Sequence, residues 1–245
     1  MTTHEGAARP DPTVVLVPGL GLDARAWARV RARLPGRASV VTLPSLGRRS
    51  ARGTDLRVEA QAERLLEALV ATGADQAVLV GHSASCAVVV EAARRSTLVV
   101  GLVLIGPVTD PRARTWPRML GQWLRTATHE RVREACVLVP QYRQTGARSM
   151  QRGMDAVRWY RTDLEIARLD LPVVVMRGTQ DRIAAQDWCQ RLADLSRGRL
   201  ITVDRAAHMV PLTDPDAVAT AVHDVRSAIA TLLATSGPLT ALGVI

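Results

Sequence analysis

The 245-residue sequence lacks any uninterrupted apolar run of about 18 residues or more. Because a helix needs about 20 mostly apolar residues to cross a bilayer, we predict no membrane span and no membrane partner. Residues 1–12 are polar and lack the apolar stretch typical of a secretory signal. The expected location is therefore the cytoplasm.

Cysteine is scarce. Cys86, Cys136 and Cys189 are odd in number, lie far apart in the chain and form no Cys-x-x-Cys motif. Their number and spacing argue against a disulfide framework and against a zinc site. We expect three buried, reduced thiols.

Lysine is absent, since all 32 basic residues are arginine, and aromatic residues make up only 3% of the chain. The formal charge of +9 raises the question of a nucleic-acid partner. The arginines, however, are scattered along predicted helices, and no basic motif interleaved with aromatic residues accompanies them. We therefore predict a solvated basic surface and no nucleic-acid partner.

Short apolar runs, rich in β-branched residues, are the clearest pattern that is present. They read T-V-V-L-V-P (13–18), S-V-V-T-L (39–43), A-V-L-V (77–80), L-V-L-I (102–105), V-V-V-M (173–176) and L-I-T-V (200–203). Near-continuous apolar runs of this length are typical of parallel strands that are buried on both faces. With 47% apolar residues, the chain can also bury a sizeable core.

Apolar residues at helical spacing lie between most of these runs. The predicted helices span residues 23–34, 55–72, 83–95, 184–195 and 216–233. Alternation of strands and helices predicts an α/β fold with right-handed crossovers. The alternation stops in residues 110–170, which contain no clear strand. We predict a core made of residues 1–109 and 171–245, and a helical insertion at 110–170.

Three residues that can form a nucleophilic site follow three of the predicted strands. Ser83 comes after the third run, Asp181 after the fifth and His208 after the sixth. Since ligands bind beyond the carboxyl ends of parallel strands, we expect these side chains at one edge of the sheet. A histidine can take the proton of a serine hydroxyl, and a carboxylate can orient the imidazole. We interpret the three as nucleophile, acid and base in that chain order.

The motifs around these residues resemble those of the α/β-hydrolase fold superfamily. G-H-S-A-S (81–85) resembles its nucleophile turn, with Ser85 in place of the last glycine. G-T-Q-D (178–181) is similar to its acid loop, and A-H-M-V-P-L (207–212) is similar to its histidine loop. V-P-G-L-G-L-D-A-R-A-W (17–27) is similar to its oxyanion-loop segment. The order serine, acid, histidine is also the order of that superfamily.

The resemblance implies a fold and an oxyanion hole. The chain would form a mostly parallel sheet of about six strands flanked by helices, without the first two strands of the superfamily, and the insertion would be its helical cap. The oxyanion donors would be the backbone N–H groups of Leu20 and Ala84. Pro18 stands where the superfamily usually has a histidine, and this change removes neither donor.

Several positions keep alternative interpretations. Ser83 taken alone could be a helix N-cap. Asp110 follows the fourth predicted strand, where some members of the superfamily carry their acid, and is an alternative to Asp181, which we favour. The side chain of His82 is predicted to point away from the Ser83 hydroxyl and to serve in packing.

Six large side chains are candidates for an apolar substrate pocket. They are Trp27 in the oxyanion segment and Trp116, Met119, Trp123, Trp159 and Tyr160 in the cap. The five cap residues could equally form a small core of the cap itself. For Trp27, packing within its own loop is the favoured interpretation.

The resemblance implies hydrolysis of a carboxylic ester, lactone or thioester of a small apolar molecule through an acyl-enzyme on Ser83. It implies no metal and no organic cofactor. Alternatives are a carbon–carbon bond hydrolase, a non-hydrolytic lyase or cyclase on the same scaffold, and a non-catalytic binder. The expected partner is a small-molecule substrate, and the expected state is a monomer or homodimer.

Overall fold

A computed structural model describes residues 11–36, 38–130 and 132–235, and most of its strands belong to one sheet. The strands are β1 (Thr13–Val17), β2 (Ala38–Val40), β3 (Leu43–Pro44), β4 (Gly47–Arg48), β5 (Ala77–His82), β6 (Val99–Ile105), β7 (Val173–Gly178) and β8 (Arg199–Val203). Six of them form a sheet in the order β2-β1-β5-β6-β7-β8, with every neighbouring pair parallel. The predicted parallel sheet of about six strands is confirmed.

The helices flank this sheet and fill the segment between β6 and β7. They are α1 (Ala28–Arg31), α2 (Val58–Ala71), α3 (Ser85–Arg95), α4 (Trp116–Ala127), α5 (Val132–Thr145), α6 (Ala147–Val157), α7 (Thr162–Ile166), α8 (Gln186–Leu195), α9 (Val210–Thr213) and α10 (Pro215–Thr235). The predicted helix over 23–34 is instead a 3-10 turn, Ala24–Trp27, followed by the short α1.

Alternate residues of each central strand enter two separate cores. Val15 and Val17 of β1 pack with α2, α3 and α8 on one face of the sheet. Val14 and Leu16 pack with α1 and α10 on the other face. Burying a side chain of this size stabilises the fold by about 1.5–3 kcal/mol. The two apolar layers therefore hold the strand ends, and the loops that follow them, in fixed relative positions.

α10 has the length and apolar composition of a membrane-spanning helix, although polar residues interrupt its apolar sequence. Val218, Val222 and Val225 of this helix are buried in the core on the α1 side of the sheet. One face of α10 thus packs on strands, as in a core helix.

The segment that we call the insert, residues 110–170, holds α4 to α7 and lies between β6 and β7. None of its described residues forms a strand. Cys136 lies on an exposed side of α5, so the expectation that all three cysteines are buried is wrong for this one. An outer helix face in the insert has no sheet to cover it, whereas Cys86 and Cys189 lie in helices packed on the sheet.

The small pair β3–β4 has no counterpart in the sequence prediction because each strand has only two residues. It supports the loop after β1. The carbonyl of Ser45, between the two strands, accepts a hydrogen bond from the Gly21 N–H at 3.0 Å. The Ser45 hydroxyl in turn donates to the Ser149 carbonyl of α6 at 2.9 Å.

Candidate active site

Ser83 occupies a sharp turn between β5 and α3. Its φ is +57°, in the left-handed region that side-chain-bearing residues seldom adopt. Such a conformation costs on the order of 1–3 kcal/mol and persists only where the surroundings impose it, often at functional sites. Here the Ser83 N–H is held by the carbonyl of Ile105 at 2.8 Å. The turn presents the Ser83 side chain at the carboxyl edge of the sheet.

Ser85, which stands where the resembled motif has glycine, uses its hydroxyl inside the turn. Its Oγ accepts from the His82 N–H at 2.8 Å and lies 2.8 Å from the Val17 carbonyl and 2.9 Å from the His82 carbonyl, to which it can donate. The side chain is fully buried. Ser85 therefore ties the turn to β1.

The side chains of Ser83, His208 and Asp181 form one continuous chain of hydrogen bonds. The Ser83 Oγ lies 2.9 Å from His208 Nε2, and His208 Nδ1 lies 2.8 Å from Asp181 Oδ2. The second carboxylate oxygen of Asp181 accepts from the N–H groups of Ile183 and Ala184 at 2.8 and 3.0 Å. With the proton on Nδ1 directed to Asp181, Nε2 is free to accept the proton of the serine hydroxyl.

Burial and pairing set the charges in this chain. Burial raises the pKa of Asp181, but the charge of His208, its hydrogen bond and the two backbone N–H groups outweigh burial and leave that pKa below its usual value. Burial lowers the pKa of His208, but the charge of Asp181 and the hydrogen bond to it outweigh burial and leave that pKa above its usual value. An ionised carboxylate thus faces an imidazole of increased basicity.

Asp110, the alternative acid, is engaged elsewhere. Its carboxylate accepts from the backbone N–H of Arg112 at 2.9 Å and pairs with the guanidinium of the same residue at 2.8 Å. Of the two candidate carboxylates, Asp181 is the one that contacts His208. The loop of Asp181 is closed by the buried Arg177, whose guanidinium donates to the carbonyls of Asp181 and Ala184 at 2.6 and 2.9 Å.

Sequence reasoning missed Arg177, although a charged residue at the end of the apolar run V-V-V-M-R-G was a visible signal. It also missed Gly106, which follows β6 with a φ of +57°. A Cβ atom at this position would lie 2.9 Å from the His208 ring, so only glycine fits without a shift of the imidazole.

The segments that carry Leu20 and Ala84 meet beside Ser83. A Cβ atom on Gly19 would lie 3.2 Å from the Ser83 Cβ, so the loop after β1 approaches the turn closely. Among the described residues, none accepts a hydrogen bond from the N–H of Leu20 or of Ala84. Two backbone donors in these adjoining segments therefore have no acceptor among the described residues.

His82 and Cys86 lie close to Ser83 but are not suited to reaction. Burial, and secondarily the charge of His208, lower the pKa of His82 to about 3, so its ring is neutral. His82 Nε2 lies 3.1 Å from the backbone carbonyl of His208 and can donate to it. Burial raises the pKa of the Cys86 thiol well above its usual value, so this cysteine is not a thiolate at neutral pH.

Residues 14–221 match the alpha/beta hydrolase family, and this match spans most of the chain. The chain belongs to the alpha/beta hydrolase family. This match confirms the resemblance seen in the sequence motifs. No curated protein matches the sequence of this chain.

Solved structures of other alpha/beta hydrolases share the fold of this one. The esterase RhEst1 from Rhodococcus sp. ECU1013 has a TM-score of 0.70 at 18% identity, over 89% of this chain and 91% of that one. The N-formylmaleamic acid deformylase of Pseudomonas putida S16 has a TM-score of 0.67 at 18% identity, over 87% and 92% of the two chains. A serine hydrolase involved in carbazole degradation has a TM-score of 0.70 at 17% identity, over 90% and 92%.

The six side chains predicted for a substrate pocket lie in different surroundings in this alpha/beta hydrolase. Trp27 is buried in the core on the α1 side of the sheet and meets the His82 ring edge-on, at 6.4 Å between centroids. The Tyr160 hydroxyl donates to Glu91 of α3 at 2.7 Å. Trp116 and Trp159 both stack on the guanidinium of Arg158. The remaining two lie on α4, where Met119 is partly covered and Trp123 is exposed.

Metal ligands do not assemble in the part of the hydrolase that the structure describes. No group of three or more histidine, cysteine, aspartate or glutamate side chains there has the proximity needed to hold an ion. The side-chain polar atoms of Ser83, His208 and Asp181 form hydrogen bonds to one another and to the backbone.

Proposed function

We propose that this alpha/beta hydrolase cleaves a carboxylic ester, lactone or thioester of a small apolar molecule through an acyl-enzyme on Ser83. One observation carries the proposal: the hydrogen-bond chain from Ser83 through His208 to Asp181, with distances of 2.9 and 2.8 Å. A serine hydroxyl is a weak nucleophile until a base takes its proton, and this chain supplies that base.

The proposed reaction has two halves. The Ser83 Oγ attacks the carbonyl carbon while its proton passes to His208 Nε2, and Asp181 stabilises the imidazolium that forms. The N–H groups of Leu20 and Ala84 stabilise the oxyanion, where loss of one such donor costs about 3–4 kcal/mol of the barrier. The tetrahedral intermediate collapses, and His208 gives its proton to the leaving group. Water then attacks the acyl-enzyme by the same steps and frees Ser83.

The names of two structural neighbours support hydrolysis at a carbonyl group. One is named an esterase and another an N-formylmaleamic acid deformylase. A carbon–carbon bond hydrolase, or a lyase or cyclase without net hydrolysis, stays the alternative because fold alone does not fix chemistry. We further propose that the insert serves as a cap over the site, and that the protein acts in the cytoplasm as a monomer or homodimer.

A fluorophosphonate probe tests the nucleophile, and a panel of ester, lactone and thioester substrates tests the reaction. We expect the probe to modify Ser83 alone and to block turnover. Ser83→Ala should then be neither labelled nor active. Turnover in oxygen-18 water should place one labelled oxygen in the acid product. Product without label would contradict hydrolysis and favour the lyase or cyclase.

A further inference from the structure

A glutamate of the insert binds the backbone of the loop that carries His208. Glu130 lies between α4 and α5, and its Oε1 accepts from the N–H of His208 at 2.9 Å and from the N–H of Met209 at 3.1 Å. The two donors are consecutive main-chain groups, 78 and 79 residues away along the chain. A single carboxylate oxygen thus holds the main chain at the proposed catalytic base.

A second carboxylate of the insert binds the other end of the same short segment. Glu134, in α5 and four residues after Glu130 in the chain, is buried and accepts from the Thr213 hydroxyl at 3.0 Å. Thr213 is the last residue of α9, which begins directly after Met209. The insert therefore binds the segment 208–213 at both ends, with Glu130 at its start and Glu134 at its end.

The backbone of His208 is held by side chains on both of its polar groups. Glu130 binds its N–H, and His82 Nε2 lies 3.1 Å from its carbonyl oxygen. Among the described residues, the imidazole ring itself forms hydrogen bonds to Ser83 and Asp181. Because the position of a ring depends on the main chain that carries it, the Glu130 contact acts on the distance between His208 Nε2 and the serine hydroxyl.

The groups that face Glu130 are Glu134 and Tyr142 from α5 and His208 from the loop before α9. Burial, and then the hydrogen bond and charge of Glu134, raise the pKa of Glu130 to about 8. The protonated acid still accepts through Oε1, and a glutamine has the same shape and the same acceptor. Glutamine is thus a conservative replacement, and alanine removes the contact.

We propose that Glu130 is a positioning residue for the catalytic base, which couples the insert to the Ser83–His208–Asp181 chain through the main-chain N–H groups of His208 and Met209. The proposal rests on the proposed function, since it assumes that His208 activates Ser83. In this role Glu130 does not contact substrate. Removal of its side chain should therefore change the rate of the chemical step rather than the binding of substrate.

The rate constant for labelling of Ser83 by a fluorophosphonate measures this step without knowledge of the natural substrate. We expect Glu130→Ala to label about 100-fold more slowly than the wild type, as for a catalytic group displaced by about 1 Å. Glu130→Gln should restore most of the rate. With an ester from the panel, Glu130→Ala should lower kcat and leave KM nearly unchanged. The matched control is Glu165→Ala, a glutamate of the insert paired with Arg168 and Arg94 and remote from the His208 loop.

Labelling of folded Glu130→Ala at the wild-type rate would overturn the proposal, and so would a Glu130→Gln variant as slow as Glu130→Ala. If thermal unfolding shows that Glu130→Ala does not fold, Glu130→Asp takes its place. Aspartate is shorter by one methylene, so its carboxylate is withdrawn from the two N–H groups, and this variant too should label more slowly than the wild type. A wild type that resists the probe would overturn the proposed function itself. A wild type that labels, beside Glu130 variants that label equally fast, would overturn only the role of Glu130.

Discussion

The sheet edge and helix α4 of the insert are built in opposite ways. At the sheet edge, Ser83, Asp181 and Ser85 are buried and each is fixed by several hydrogen bonds to backbone. In the insert, α4 buries a single residue, Thr126, and leaves four large apolar side chains exposed. They are Trp116, Leu120, Trp123 and Leu124. The proposed chemistry thus depends on strand ends held by hydrogen bonds, whereas packing places little constraint on the exposed face of α4.

This contrast predicts that substitutions at the sheet edge change the rate of reaction and that substitutions on exposed insert surfaces change substrate preference. The largest effect is expected for Ser83→Ala, which should lower kcat by about 10⁴-fold or more. Ser85→Ala is its matched control, since that hydroxyl serves only the turn. It should destabilise the fold by about 1–3 kcal/mol, for the buried groups left without partners, and lower kcat far less. Chemical denaturation and steady-state kinetics measure the two effects separately.

A reversed pattern, with Ser85→Ala inactive and Ser83→Ala active, would refute the assignment of the nucleophile. Equal loss in both variants, without loss of stability in either, would show that the two hydroxyls act together.

Replacement of the acid should have the next largest effect. Asp181→Asn keeps the shape of the side chain but cannot stabilise the imidazolium, so kcat should fall by roughly 10³–10⁴-fold. Asp110→Asn removes the alternative carboxylate, which pairs with Arg112, and should leave kcat within a fewfold of the wild type. Comparison of the two kcat values decides which carboxylate belongs to the site. A greater loss of kcat in Asp110→Asn than in Asp181→Asn would instead assign Asp110 as the acid.

The pH dependence should follow His208. Since Asp181 raises the pKa of His208 above its usual value, kcat/KM should rise with pH and reach half of its maximum above about pH 6.5. Loss of the negative charge in Asp181→Asn should move this midpoint to lower pH. Profiles of labelling rate against pH measure both midpoints. A midpoint in Asp181→Asn equal to that of the wild type would show that the carboxylate does not act on the imidazole.

Local patterns predict the sheet and the strand-end residues because both depend on neighbours in sequence. An apolar run of strand length specifies a buried strand, and the residue after that run must lie at the sheet edge. Contacts such as Glu130 with His208, or Ser45 with Ser149, join side chains to partners about 80–100 residues away and leave no periodic signal. The exposure of Trp123 also depends on how helices of the insert pack, which their sequences alone do not determine.

Two tryptophans give the sharpest test of the contrast, although the effect expected in the insert is the smallest. Trp188 of α8 is buried, and its indole N–H donates to the Pro107 carbonyl at 3.1 Å, so Trp188→Ala should destabilise the fold by about 3–5 kcal/mol. Trp123 is 48% exposed, so Trp123→Ala should change stability by only about 0.5 kcal/mol or less. If the exposed face of α4 meets substrate, Trp123→Ala should raise KM for long apolar esters and leave KM for short ones unchanged. If Trp123→Ala has the same KM as the wild type for long and for short esters, the surface that selects substrate lies elsewhere. An exposed tryptophan that contacts no substrate cannot discriminate esters by chain length.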